Sequence, residues 1–331
     1  MSQSPELAGG AGFTFEDAVS AEYLIALLGE GYAPGTGNRI VSRVALQQRD
    51  FGEPLDDIIV DSHDSKGGRA RLSLQVKRSL TISKAKTNTD FRDIIRDSWL
   101  TFSKDDFRRN VDRFGAAVGS IAKDKGRALV TLGELARESL TVDHFEARFT
   151  EAGNASAELV SIKEDITDLL NEISGGSCPA SSVQEFLAHF VLINFDYLHA
   201  GSTSRPEAMN KIRDALAADH GDSAPLIFAT LCQLAREASG KSGEFDRHRL
   251  VRELSPLARL RGAPSLKGDL DKIASLARDW IADIKNDVGG ASGTTQTFGR
   301  IRIETRRLPT AANTWFARKW KVGPAAPTSR G

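Results

Sequence analysis

Four residues of this 331-residue chain have the types and the order to hold a hard divalent cation against a phosphate: Glu16, Asp57, Gln75 and Lys77. A cation such as Mg²⁺ takes oxygen ligands in near-octahedral geometry and keeps several of its waters. Against a phosphodiester it polarises the phosphorus, stabilises developing negative charge and lowers the pKa of a bound water. Two or three protein oxygens serve it, and a lysine beside them meets water and phosphate as a point charge. Gln75 and Lys77 sit two apart in LSLQVKRSL (72–80), so the strand period places both on one face. Asp57 stands directly before the β-branched run Ile58-Ile59-Val60 in LDDIIVD (55–61). Asp56 is the alternative acid; Asp57 is preferred because it abuts the apolar run. Such a set also arises by chance, and the plainer reading is an edge acid beside the wet face of a sheet.

The elements that must position these residues are legible. Thr14 offers an N-cap, with Asp17 three residues on as in a capping box, to a helix over 13–28 whose apolar face includes Phe15, Val19, Leu24 and Leu28. Gly and Pro in 29–38 end it. RIVSRVALQQ (39–48) predicts a strand, and the polar SHDSKGGRAR (62–71) a hairpin loop between the two site strands. Leu72, Leu74 and Val76 alternate with Ser73, Gln75 and Lys77. A helical stripe follows in DFRDIIRDSWLTF (90–102), and RFGAAVG (113–119) predicts one more strand. Beyond it the pattern is helical, over 126–140, 142–152, 158–173, 182–198, 205–220, 223–239, 245–254 and 266–288, with the second half of 182–198 open to a strand reading. The expected fold is α/β: a mixed sheet with flanking helices over 12–125, an all-α domain over 126–288, then a linker and basic aromatic tail over 289–331, where 299–308 reads as a further strand.

Lysine plus arginine equals aspartate plus glutamate at 44 each, which excludes a uniformly positive coat but leaves room for a local basic groove. Two cysteines, Cys178 and Cys232, form no C-x-x-C, so neither a zinc site nor a disulfide framework is indicated. The expected location is a reducing cytoplasm. MSQSPELAGGAG lacks a signal-peptide pattern and no apolar run reaches membrane-span length, so no membrane partner is expected.

The order Glu16, Asp57, Gln75-x-Lys77 resembles the PD-(D/E)XK nuclease core in its Q-x-K variant. GFTFEDAVSAEYLIALL, LDDIIVD, LSLQVKRSL and DFRDIIRDSWLTF resemble the N-terminal effector nuclease of antiviral STAND proteins and are similar to the double-strand DNA endonuclease of cyclic-oligonucleotide (CBASS) phage defence. The resemblance covers about residues 12–120. It fades beyond them, although FVLINFDYLHAGSTSRPEAMNKIRDAL still reads like the segment after that nuclease. It implies a restriction-endonuclease-like fold and metal-dependent cleavage of double-stranded DNA. Asp57, Gln75 and Glu16 would then be ligands of Mg²⁺, and Lys77 would position water and phosphate. It also implies a sensor or protein partner, and a homo-oligomer as one way to control the activity. Two departures stand out. Gln75 replaces the commoner glutamate and brings no charge, which predicts weaker metal binding and a shift toward Mn²⁺. STAND proteins carry an ATPase after the nuclease; SGKSGEF (239–245) has Ala235 where a P-loop needs its first Gly, and it follows a helix, so it is rejected. Either the sensor is on another chain or this chain is a shortened form.

Lys84 and Lys86, just after the Q-x-K strand, and Arg306 and Arg307 in the tail are candidate nucleic-acid contacts. The tail interleaves such cations with Trp315, Phe316 and Trp320, which fits either a DNA grip or a partner-docking segment. Arg108, Arg109, Arg113, Lys123, Lys125 and Arg127 read as a solvated face. His63 lies in the expected hairpin loop near the proposed site. His189 and His199, with Asp196 nearby, read as core or helix-end residues rather than a triad, and the cysteines as packed thiols. A non-catalytic adaptor of a defence complex is the alternative function, and an RNA or tRNA nuclease a third.

Overall fold

Helix α1 (Phe15–Leu28) lies inside the molecule because its sequence leaves almost no polar face: every residue of it except Glu16 is buried. Its start is fixed by the expected capping box. Thr14 Oγ1 accepts from the Asp17 amide at 3.2 Å, and the Thr14 amide donates to Asp17 Oδ2 at 2.8 Å. Asp17 is buried and is compensated by Arg236, at 2.6 Å. The computed structural model describes residues 14–150, 155–199 and 201–261. The helix expected at 266–288, the strand reading at 299–308 and the tail with Arg306 and Arg307 lie outside them.

Strands β1 (Ile40–Leu46), β2 (Ile58–His63) and β3 (Arg69–Lys77) form an antiparallel meander. β4 (Arg113–Val118) lies parallel to β3, reached through α2 (Thr89–Phe102). β5 (Phe190–Asn194) lies parallel to β4, after α3 (Lys123–Glu138), α4 (Val142–Ala147), α5 (Ala157–Ser174) and α6 (Ala180–His189). Then come α7 (Ser204–Ala215), α8 (Ala224–Ser239), the two-residue β6 (Glu244–Phe245) paired with β1, and α9 (Arg247–Leu254). The sheet is therefore mixed, with order β5-β4-β3-β2-β1-β6. Parallel neighbours need crossovers, and the crossover helices cover the sheet faces. Val44, Ile58, Val60, Leu72 and Leu74 pack with α1, α7, α8 and α9 on one side. Phe114, Ala116 and Val118 pack with α2, α3, α5 and α6 on the other.

The all-α domain expected over 126–288 takes a different form. Strands β5 and β6 fall in that stretch and join the sheet, and the described residues belong to one compact unit running to Ala263. For the second half of 182–198 the strand reading left open from sequence is the one that holds; β5 is only five residues long and continues directly from α6, so FLAHFVLIN reads as one apolar run. The junction of β4 and β5 is tight. A Cβ on Gly115 (φ +156°) would stand 1.9 Å from the Val191 carbonyl oxygen, so only glycine lets these two backbones approach.

The hairpin is also shorter than expected. β2 runs on to His63 and β3 begins at Arg69, leaving a turn in which the Asp64 carboxylate accepts from the amides of Lys66 (2.9 Å) and Gly68 (2.8 Å), with Gly67 at φ +83°. Polar side chains on both strands hid this extension. Among the described residues no helix is long and apolar enough to cross a membrane.

Candidate metal and phosphate site

Register brings the site together. Leu46 faces Ile58 across β1 and β2, and Ile58 faces Leu74 across β2 and β3. One step further, Gln47, Asp57 and Gln75 stand abreast at the end of the meander. The Gln47 amide still bonds the Asp57 carbonyl at 3.2 Å, so the pairing continues past the regular strands. Gln47 adopts φ +51°, a conformation that non-glycine residues rarely hold and that clusters at functional sites.

From there the Gln47 side chain bridges two acids. Its Nε2 donates to Glu16 Oε1 at 2.8 Å and to Asp57 Oδ1 at 3.0 Å. The other Asp57 oxygen accepts from the Val76 amide at 2.7 Å and from the Gln75 side-chain amide. Asp57 is buried, and burial pushes its carboxyl up to about 6. The Val76 amide opposes this rise; the nearby charges of Glu16 and Asp56 add to it. Glu16 is also raised, first by burial; Gln47 holds it down, Asp17 and Asp56 push it up, and Lys77 lowers it through its charge. Asp56, the alternative acid, points elsewhere and pairs with Arg49 at 2.8 Å.

Lys77 lies two residues beyond Gln75 on β3, and its ammonium pairs with Asp90 in the first turn of α2 at 2.9 Å. Of the residues singled out from sequence, Asp57 and Gln75 meet directly, Glu16 joins them through Gln47, and Lys77 acts on Glu16 through space. Lys84 is held by Asp168 (2.7 Å) and Asp165 (3.2 Å) of α5. Lys86 is exposed with no partner among the described residues. His63 closes β2 at the end remote from Asp57, so it is not beside this site. His189 is buried against the Asp112 carbonyl at 2.7 Å and forms no triad with His199 and Asp196.

Sequence reasoning missed two participants. Gln47 was visible only as one of two glutamines closing an apolar strand; its role depends on the β1–β2 register. Asp90 opens α2 and was seen only as a helix residue.

No three of His, Cys, Asp and Glu gather as a metal-ligand group among the described residues. The cluster consists of two carboxylates and two side-chain amides, whose nitrogens face the carboxylates. That set contains no thiolate or imidazole, so it suits a hard cation. The crowding of two partly buried acids is the electrostatic state that such a cation relieves.

No family model matches the chain, and no curated protein does. Among solved structures it is similar to a Cap4 SAVED/CARF-domain containing receptor of Acinetobacter baumannii with the cyclic trinucleotide 3'3'3'-cAAA. The identity is 16% and the TM-score 0.39, over 75% of this chain and 45% of that one. It is also similar to a Cap4 SAVED/CARF-domain containing receptor of Moraxella osloensis, at 18% identity and TM-score 0.38 over 74% of this chain and 47% of that one. The chain thus spans less than half the length of each receptor.

Proposed function

We propose that this chain is a metal-dependent nuclease that hydrolyses phosphodiester bonds of double-stranded DNA. The observation that carries the reading is one half-buried cluster at the aligned ends of three strands, where Glu16 and Asp57 share the Gln47 amide and Asp57 faces Gln75. Asp57, Glu16 and Gln75 would hold Mg²⁺ or Mn²⁺. When bound, the cation supplies charge stabilisation at the phosphate and a more acidic water. The chain's own residues set the stage. The Val76 amide fixes the Asp57 carboxylate, Gln47 fixes its distance from Glu16, and a half-turn of the Gln75 amide exchanges its nitrogen for its oxygen. Lys77 supplies a mobile positive charge for the phosphate, and Asp90 holds that charge beside the site. With Gln75 in place of a third carboxylate, metal affinity is lower than in an all-acid site. The role as effector of an anti-phage defence system, controlled by a sensor or by assembly, rests on the sequence resemblance over residues 12–120.

The adaptor reading has one observation in its favour: Lys77 is engaged by Asp90, and Gln75 turns its amide N–H, not its oxygen, toward Asp57. Incubation with closed-circular plasmid and Mg²⁺ or Mn²⁺ separates the two, with Lys77→Ala run alongside and an RNA substrate in the same buffer. Cleavage of DNA by the wild type alone supports the nuclease. Equal nicking by both proteins marks contamination and defeats it. Cleavage confined to RNA moves the substrate class.

A further inference from the structure

The same face of β2 and β3 carries a second polar feature, at the other end of the strands. A cavity of about 640 Å³ opens there, floored by Arg71 and Asp61 and walled by Lys104, Phe107 and Arg113. Asp61 lies four residues along β2 from Asp57, about 13 Å at the usual strand rise. The cavity is therefore distinct from the cluster around Asp57. A smaller hollow of about 100 Å³ shares Arg71 and Arg113 with it and adds Arg39.

Cations outnumber carboxylates in this lining, and the carboxylates are already engaged. Asp61 is divided between Arg43 (2.7 Å) and Arg71 (2.9 Å), and Glu53 between Arg71 (3.0 Å) and Lys104 (2.8 Å). Asp112 pairs with Arg108 at 2.8 Å, and Asp106 reaches only Lys104, at 4.0 Å. Three arginines are left with no carboxylate within ion-pair distance among the described residues: Arg39, Arg69 and Arg113. The Nε of Arg39 is buried without any hydrogen-bond partner. The Arg113 guanidinium donates only to the Asp112 carbonyl and meets His189 Nδ1, both at 3.0 Å. Burial and the charges of Arg137 and Arg39 work against its protonated form, which the Asp112 charge supports. A buried donor without an acceptor, and cations that feel Asp64 and Asp112 through space but form no direct ion pair, are costly unless an anion completes them. The guanidinium fork matches phosphate oxygens, and Phe107 adds an apolar wall. The volume lies in the range of small-molecule sites, about 300–1,000 Å³.

We propose that this cavity binds a small phosphate-bearing anion, with Arg71 and Arg113 as its inner cationic surface, Arg39 behind them in the adjoining hollow, and Arg69 as an exposed outer contact. The stretch that reads in sequence as a solvated basic face thus contributes Arg108 and Arg113 to a cavity. The site does not depend on the nuclease reading and is tested without divalent metal. The experiment is calorimetric titration of the full chain in EDTA with inorganic pyrophosphate. It compares the wild type with Arg69→Glu, Arg113→Lys and Lys241→Glu, the last being an equal charge change at an exposed residue outside the lining. Saturable binding is expected in the wild type and in Lys241→Glu, weakened about tenfold or more in Arg69→Glu and Arg113→Lys. Arg69 is exposed and makes no side-chain pair, so its variant folds even if Arg113→Lys does not. No saturable binding by the wild type, or equal binding by Arg69→Glu and Lys241→Glu, overturns the proposal. Displacement of pyrophosphate by a short DNA duplex also overturns it, by assigning the arginines to a nucleic-acid path.

Discussion

Replacing Asp57 by Asn should stabilise the metal-free protein at alkaline pH. The Asp57 carboxyl titrates at about 6 in the fold, against an ordinary value near 4. A carboxyl whose folded value is raised is easily accommodated when protonated and penalised when charged. The penalty is absent below about pH 4, grows between about 4 and 6, and is complete above about 6. Its full size is about 3 kcal/mol. Asn has the shape of the neutral acid, but its single oxygen cannot keep every bond from Val76, Gln75 and Gln47, a loss of about 1 kcal/mol. The net expectation at pH 8 is a gain of about 1–2 kcal/mol, which raises the melting temperature by about 2–4 °C per kcal/mol for a body of this size. At pH 5 the electrostatic part falls by about half. The assay is thermal or urea unfolding of both proteins in EDTA at pH 5 and pH 8, repeated at pH 8 with excess Mg²⁺. With metal the order should narrow or reverse, because only the wild type gains binding energy. A variant that is less stable by the same amount at both pH values would refute the reasoning. It would show Asp57 to be an ordinary structural acid.

Lys77→Ala should cost less than about 1 kcal/mol in stability, since its pair with Asp90 is partly exposed, yet should reduce cleavage about 100-fold or more, so unfolding and nicking assays on one preparation separate structure from chemistry. Gly115→Ala should destabilise by more than about 3 kcal/mol or prevent folding, read by circular dichroism and melting, because its Cβ would overlap the Val191 carbonyl. Asp196 is held well below the usual carboxylate range: burial is the largest single influence and pushes it up, but bonds from Ser204, Thr203 and Ser202 together outweigh this. A depressed carboxyl stabilises the fold above its unfolded value and loses that contribution as pH falls toward its folded one. Asp196→Ala should therefore cost about 1–2 kcal/mol at pH 7 and progressively less below pH 4, seen as converging urea midpoints.

The site strands were legible because their chemistry and their periodicity coincide. In LSLQVK the alternation that buries Leu72, Leu74 and Val76 is the same alternation that aligns Gln75 with Lys77. The capping box at Thr14 was equally local and carries Glu16 with it. What failed was non-local. β6 exists because β1 offers an edge to pair with, and nothing within EF announces that; VLIN leaves strand and helix both open, and the edge of β4 decides between them. Gln47 belongs to the site through register and an unusual backbone angle, neither written in its neighbours. The partition of Asp56 to Arg49 and Asp57 to Gln75 followed from the abutting apolar run, since successive residues point to opposite faces. The arginine cavity was invisible because its members come from strands and loops far apart in sequence, and only their count against the paired acids gives it meaning.

The central claim is that Glu16, Asp57 and Gln75 form a seat for one divalent cation. Electron paramagnetic resonance of Mn²⁺ titrated into the wild type and into Asp57→Asn tests it most directly. The account predicts saturable uptake of one Mn²⁺ per chain by the wild type and its loss in the variant. Equal uptake by both proteins, or none by the wild type, would contradict it.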